Sequence, residues 1–138
     1  MTCVLCDTPD QTGEIVFEDN SSLVIIHDDW ATRGHLMVVW KAHVQNLSDL
    51  SDIEASHFLC LYRLAERAVL DATGAERSVI LKLGIAVPHL HVHIYPVSAS
   101  LDRTGVMQII EARVRDFPEE GTRRALVQHL REHLATSS

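Results

Sequence analysis

The apolar residues of this chain keep two rhythms. In the first fifty positions, and again from about 78 to 96, they form short runs of strand length; between 52 and 73, and beyond 105, they recur every three or four positions, as on one face of a helix. Glu14-Ile15-Val16-Phe17-Glu18, the turn Asp19-Asn20-Ser21-Ser22 and the run Leu23-Val24-Ile25-Ile26 predict a hairpin. After the loop 28–34, His35-Leu36-Met37-Val38-Val39-Trp40 predicts a third strand. Ser51-Asp52-Ile53-Glu54 opens a helix, because a hydroxyl and a carboxylate three residues apart each satisfy the other's backbone amide. Phe58, Tyr62, Ala65, Val69 and Ala72 give that helix an apolar stripe and Gly74 a stop. Cys60, between Leu59 and Leu61, is expected to be buried and inert. A fourth strand is predicted over Ser78-Val79-Ile80-Leu81-Lys82-Leu83. Toward the end, Val106, Ile109, Ile110, Val114 and Phe117 predict a helix to Pro118. Thr122 opens another carrying Leu126, Leu130 and Leu134, with His129 and His133 expected as ordinary surface residues.

The fifth predicted strand carries the chemistry. In His89-Leu90-His91-Val92-His93-Ile94-Tyr95-Pro96 the alternation puts three imidazoles on one face, roughly 6.6 Å apart, and Leu90, Val92 and Ile94 on the other. Packing asks for no imidazole there. The plain alternative is an edge strand with solvated histidines, but the run is strict and uninterrupted. Near neutrality an imidazole serves as nucleophile, hydrogen-bond donor to phosphate or metal ligand. One metal held by all three is disfavoured, since residues i and i+4 of a strand lie roughly 13 Å apart.

Composition narrows the partners. A chain of 138 residues suits one domain spanning 1–138. With 12 basic and 19 acidic residues the net charge is −7, which argues against broad electrostatic binding to DNA, RNA or an anionic membrane and leaves a small phosphorylated ligand open. No run approaches the roughly 18 apolar residues of a spanning helix, and the N-terminus lacks a charged segment followed by an apolar one. A soluble, cytoplasmic protein is expected. Three cysteines cannot all pair within the chain, so no disulfide framework is expected either.

Cys3 and Cys6 form a Cys-x-x-Cys pair: a redox dithiol, half of a zinc site or a coincidence. A redox dithiol normally opens a helix after a strand in a βαβ unit, and this pair lies at the extreme N-terminus. Zinc requires two further ligands. His43 and His89 supply them if the end of the third strand folds beside the histidine strand, closing a tetrahedral Cys₂His₂ site; otherwise His43 is a solvated loop residue.

With these residues assembled, the chain resembles the histidine-triad (HIT) nucleotide-binding family, whose hallmark is His-x-His-x-His followed by apolar residues. The likeness covers most of residues 3–96: the Cys-x-x-Cys pair, Gly34-His35 before an apolar strand, Trp40-Lys41-Ala42-His43-Val44, Leu47-Ser48-Asp49-Leu50, and Val87-Pro88 directly before the triad. It implies an α+β fold with an antiparallel sheet of about five strands, a covering helix and, here, additional C-terminal helices over 101–138 that match nothing in the family. It also implies a homodimer, a bound nucleotide or nucleotide conjugate, and hydrolysis or transfer at a nucleotide's α-phosphorus. By motif position His91 matches the nucleophile that forms a covalent nucleotidyl-histidine, and His93 and His35 match residues of the phosphate site. Asp28, or its neighbour Asp29, matches an acidic residue that meets the ribose hydroxyls. In zinc-containing members Cys3, Cys6, His43 and His89 would match the ligands of a structural zinc. The chain departs from the family at Gly84-Ile85-Ala86-Val87-Pro88, where Ile85 and Ala86 offer no polar side chain to the phosphate or leaving group, and at Val97, which replaces a frequent arginine. A nucleotide-binding regulatory protein with little turnover is the alternative those departures favour.

Overall fold

Alternation decides which way each strand residue faces, and in the computed structural model of the chain, which describes residues 3–28, 30–111 and 119–137, it divides one sheet into two unlike faces. Strands β1 (Gly13–Glu18), β2 (Ser22–His27), β3 (Leu36–Trp40), β4 (Arg77–Leu81) and β5 (His91–Val97) pair antiparallel in the order β1-β2-β3-β5-β4. The β1–β2 turn is held by Asp19, whose Oδ1 accepts from the amides of Ser21 at 2.8 Å and Ser22 at 2.7 Å. Strand β5 inserts between β3 and β4, with His91 opposite Val39 and His93 opposite both Met37 and Leu81.

One face is covered by two helices. Helix α2 (Asp52–Thr73) starts on the expected capping box, Ser51 and Glu54 exchanging bonds of 2.8 and 3.2 Å, and stops at Gly74 in the left-handed conformation at φ 74°. Its Phe58, Leu61, Ala65, Ala68 and Val69 join Val24 and Ile26 of β2, Leu36 and Val38 of β3 and Val92 and Ile94 of β5 in a single core. Helix α4 (Glu120–Ser137) adds Leu126, Val127, Leu130 and Leu134 to the same core, so the C-terminal segment packs into the body of the fold. The other face bears Leu23, Ile25, Met37 and Val39 under Leu5 of the short helix α1 (Val4–Asp7). Strands β2 and β3 are buried on both faces, which is why their sequences are unbroken apolar runs. Gly34 precedes β3 at φ 88°, and a Cβ there would lie 2.9 Å from Val69 Cγ2 and 3.0 Å from Thr73 Cγ2, so backbone and space both demand glycine.

The structure amends several expectations. Cys60 is exposed, because it sits about 200° round the helix from Phe58, on the solvent side; apolar neighbours in sequence say little about helix phase. Strand β4 ends at Leu81, short of Lys82 and Leu83, and β5 begins at His91, leaving His89 and Leu90 in the approach to the strand. Helix α3 (Arg103–Glu111) starts ahead of Gly105 with Val106, Ile109 and Ile110 half-buried, while Val114 and Phe117 lie outside the described residues. Helix α4 opens at Glu120, before Thr122. Helix α1 and the 3₁₀ turns Pro9–Gln11 and Leu47–Asp49 were not expected from the pattern. Among the described residues no helix is long and apolar enough to cross a membrane.

Candidate functional site

Four side chains from three places in the sequence converge at the start of the histidine strand. Helix α1 holds Cys6 and is preceded by Cys3, His43 follows β3, and His89 precedes β5; all four ligand atoms lie within 4.8 Å of one another. The separations are 3.4 Å for Cys3 Sγ to His89 Nδ1, 3.2 Å for Cys6 Sγ to His43 Nδ1, 3.3 Å for Cys6 Sγ to His89 Nδ1 and 3.2 Å between the two Nδ1 atoms. A tetrahedron with Zn–N and Zn–S bonds of ordinary length has edges of about 3.3–3.8 Å, so the four donors fit one ion. His89 Nε2 lies 2.6 Å from the Trp40 carbonyl oxygen, which can only accept; the proton is therefore on Nε2 and the Nδ1 lone pair faces the cluster. Burial, reinforced by His43 and His91, holds His89 below the usual imidazole range and keeps it neutral, the form that ligates. Partial desolvation and the neighbouring Cys3 push the Cys6 thiol up, so a metal would displace its proton on binding.

Two residues further on, the face changes purpose. His91 is buried, and its Nδ1–H donates to the His89 carbonyl at 2.6 Å, leaving Nε2 with the available lone pair. The ring of His93 lies 5.1 Å from that of His91, and His93 Nδ1 shares a 2.9 Å hydrogen bond with His35 Nε2. Burial, then the positive charge that His91 and His27 would carry, push His93 down to about 3, so it stays neutral at pH 7. His35 stacks between His27, at 4.7 Å, and Tyr95, at 4.3 Å.

His27 is the residue the sequence reading passed over. It follows Leu23 and Ile25 at the same parity in β2, and Ile25 pairs with Met37, which pairs with His93; alternation alone puts His27 on the histidine face. His27, His91 and His93 line a cleft of about 330 Å³, floored by Leu5 and Met37 and rimmed by the loop 83–87. That volume is at the lower end of the ~300–1,000 Å³ range of small-molecule sites. A larger cleft of about 510 Å³ runs along α4 between Glu14 and Arg131, but it holds neither histidine nor cysteine.

Of the residues marked by the sequence, His35, His91 and His93 come together, and Cys3, Cys6, His43 and His89 come together beside them. Asp28 does not line the histidine cleft. Its carboxylate is taken by Arg123 of α4 at 2.9 Å, and Arg123 also donates to the His27 carbonyl at 3.1 Å, tying α4 to the end of β2. Asp29 lies outside the described residues. The loop departure is visible as geometry: Ile85 is 81% exposed at the rim of the cleft, and neither it nor Ala86 brings a side-chain donor there.

Comparison with known proteins agrees with this geometry. The HIT-domain family model matches residues 8–99. The relative named Protein hit from Bacillus subtilis is 28% identical over 101 residues, covering 68% of this chain and 70% of its own length. Among solved structures, a histidine triad protein from Sinorhizobium meliloti superposes with a TM-score of 0.79 at 20% identity, over 96% of this chain and 97% of that one. A zinc-bound histidine triad family protein from Mycobacterium smegmatis gives 0.70 at 23% identity, over 99% and 96%. At these identities the structural likeness speaks for the fold.

Proposed function

The chain belongs to the HIT family of nucleotide-binding proteins, and on that premise we propose that it hydrolyses or transfers a nucleotidyl group at the α-phosphorus, with His91 as nucleophile. The observation that carries this is the His91 tautomer: Nδ1–H is committed to the His89 carbonyl, so Nε2 offers its lone pair into the cleft without needing a strong base. Nε2 attacks phosphorus, forming a P–N bond as the bond to the leaving group breaks with its electron pair. Water then attacks the same phosphorus, the P–N electron pair returns to Nε2, the mononucleotide departs and the spare proton goes to solvent. With His35 Nε2–H donating to His93 Nδ1, the neutral His93 ring carries its one proton on Nε2 and donates it to a phosphoryl oxygen where negative charge builds. Suitable substrates are phosphoramidates, dinucleoside polyphosphates or adenylylated compounds.

A structural zinc on Cys3, Cys6, His43 and His89 belongs to the same proposal, supported by the convergence of donors. All four positions would be protein-filled, so the ion would supply order rather than activated water: it would fix the start of the strand that carries His91. A homodimer is supported by the position of β4 at the edge of the sheet among the described residues, where Ile80 is exposed and followed by exposed Leu83.

A second reading is favoured by the apolar rim at Ile85 and Ala86: a nucleotide-binding protein with little turnover. The test is incubation with adenosine and guanosine phosphoramidates and dinucleotides, reading monophosphate release by chromatography and the nucleotidyl-His91 adduct by mass spectrometry. Turnover and adduct, both lost in His91→Ala, are expected. Tight binding with neither would establish the second reading, and unchanged turnover in His91→Ala would overturn the nucleophile assignment.

A further inference from the structure

Helices α2 and α4 meet at a second cluster of metal-ligating side chains, distinct from the Cys/His centre. His129 and His133 are one turn apart on α4, so their imidazoles leave the helix on the same side, with ring centroids 3.8 Å apart. Across the interface, Asp71 of α2 points Oδ2 at both: 3.5 Å from His129 Nε2 and 3.8 Å from His133 Nε2. His133 Nδ1–H donates to the His129 carbonyl at 2.9 Å, which sets its tautomer and leaves the Nε2 lone pair toward Asp71. His129 Nε2 is buried and makes no hydrogen bond among the described residues.

These distances fit an ion pair without a hydrogen bond, or two groups that share an ion. A histidine hydrogen-bonded to a carboxylate closes to 2.7–2.9 Å, and this chain makes such a contact between His57 and Asp19 at 2.7 Å. The contacts at Asp71 are too long for that. They are instead close to the edge of a tetrahedron around an ion with ordinary nitrogen and oxygen bonds, about 3.4 Å. Two imidazoles at i and i+4 on a helix with one carboxylate form a donor set suited to borderline dications.

We propose that Asp71, His129 and His133 bind a divalent transition-metal ion, with water in the remaining position, clamping α4 onto α2. All three ligand atoms lie within 4.8 Å of one another; the two rings are stacked at 21°, so binding requires the exposed His133 ring to turn until both Nε2 lone pairs converge. The site opens to solvent through a cleft of about 250 Å³ that it shares with Arg67. The Arg67 charge opposes a dication, so binding is weaker here than at the Cys/His centre. The ion engages both helices only when α4 is docked, so it favours the docked arrangement.

The test is a zinc titration followed by equilibrium dialysis and elemental analysis, on wild-type protein and on His133→Gln, Asp71→Asn and Cys3→Ser/Cys6→Ser. Wild type is expected to take up a weaker equivalent of zinc that survives in the cysteine variant. In His133→Gln and Asp71→Asn that equivalent weakens by about tenfold or more, and the rise in Tm on adding zinc shrinks with it. Circular dichroism confirms that the variants, altered at half-exposed and exposed positions, keep their helices. An equivalent that persists unchanged in both His133→Gln and Asp71→Asn overturns the proposal. So does the absence of any weaker equivalent in wild type at every zinc concentration short of precipitation.

Discussion

Replacing His93 by asparagine is expected to remove part of the protein's sensitivity to acid. In the fold His93 titrates at about 3, held there by burial and by His91 and His27; in the unfolded chain an imidazole titrates near 6.5, about the reference value. Between those values the unfolded chain takes up a proton that the folded protein refuses. The contribution is therefore fully present above about pH 6.5 and is lost as the pH falls toward 3. The slope cannot exceed about 1.4 kcal/mol per pH unit, and integrating the two titrations from pH 7 to 5 gives a loss of about 2 kcal/mol. Against a domain stability of roughly 5–15 kcal/mol this is readily measured. Asparagine offers the His35 ring a hydrogen-bonding amide without titrating. The groups facing His93 are His27, His35, His91 and Tyr95, all retained in the variant. Urea unfolding of both proteins at steps from pH 7 to 5 gives the difference in stability at each pH, in which titrations that do not couple to His93 cancel. The difference is expected to shift by about 2 kcal/mol over that range, in favour of His93→Asn at low pH. Parallel curves would show that His93 titrates normally in the fold and that its desolvation has been misread.

Three other outcomes are expected. Leu130→Ala, at a fully buried position of α4, is expected to cost about 3–5 kcal/mol in urea unfolding, whereas a loss below about 0.5 kcal/mol, typical of surface sites, would mean that α4 does not share the core. Protein purified without added metal is expected to carry a tightly held zinc that Cys3→Ser/Cys6→Ser lacks, together with lower thermal stability in the variant; undiminished zinc there would dissolve the Cys/His assignment. Because Ile85 and Ala86 donate no proton, turnover is expected to rise steeply as the leaving group becomes less basic, and a flat profile with chemistry rate-limiting would show that another donor reaches it.

What the sequence determined by itself was local. Alternation in β5 fixed which face His91 and His93 share, the Ser51–Glu54 pair fixed where α2 begins, and Gly74 fixed where it ends, since each depends only on backbone geometry over a few residues. The same parity rule would have placed His27 among the histidines, had β2 been followed one residue beyond its apolar run. Contacts across the fold were decided otherwise. Whether Cys3 and Cys6 meet His43 and His89 depends on how α1 packs beneath the sheet; the bond from Arg123 to Asp28 spans 95 positions, and the meeting of Asp71 with His129 and His133 requires α4 to dock on α2. No periodicity encodes such pairings. They are set by which apolar faces bury together, and that free energy belongs to the whole core rather than to any one segment.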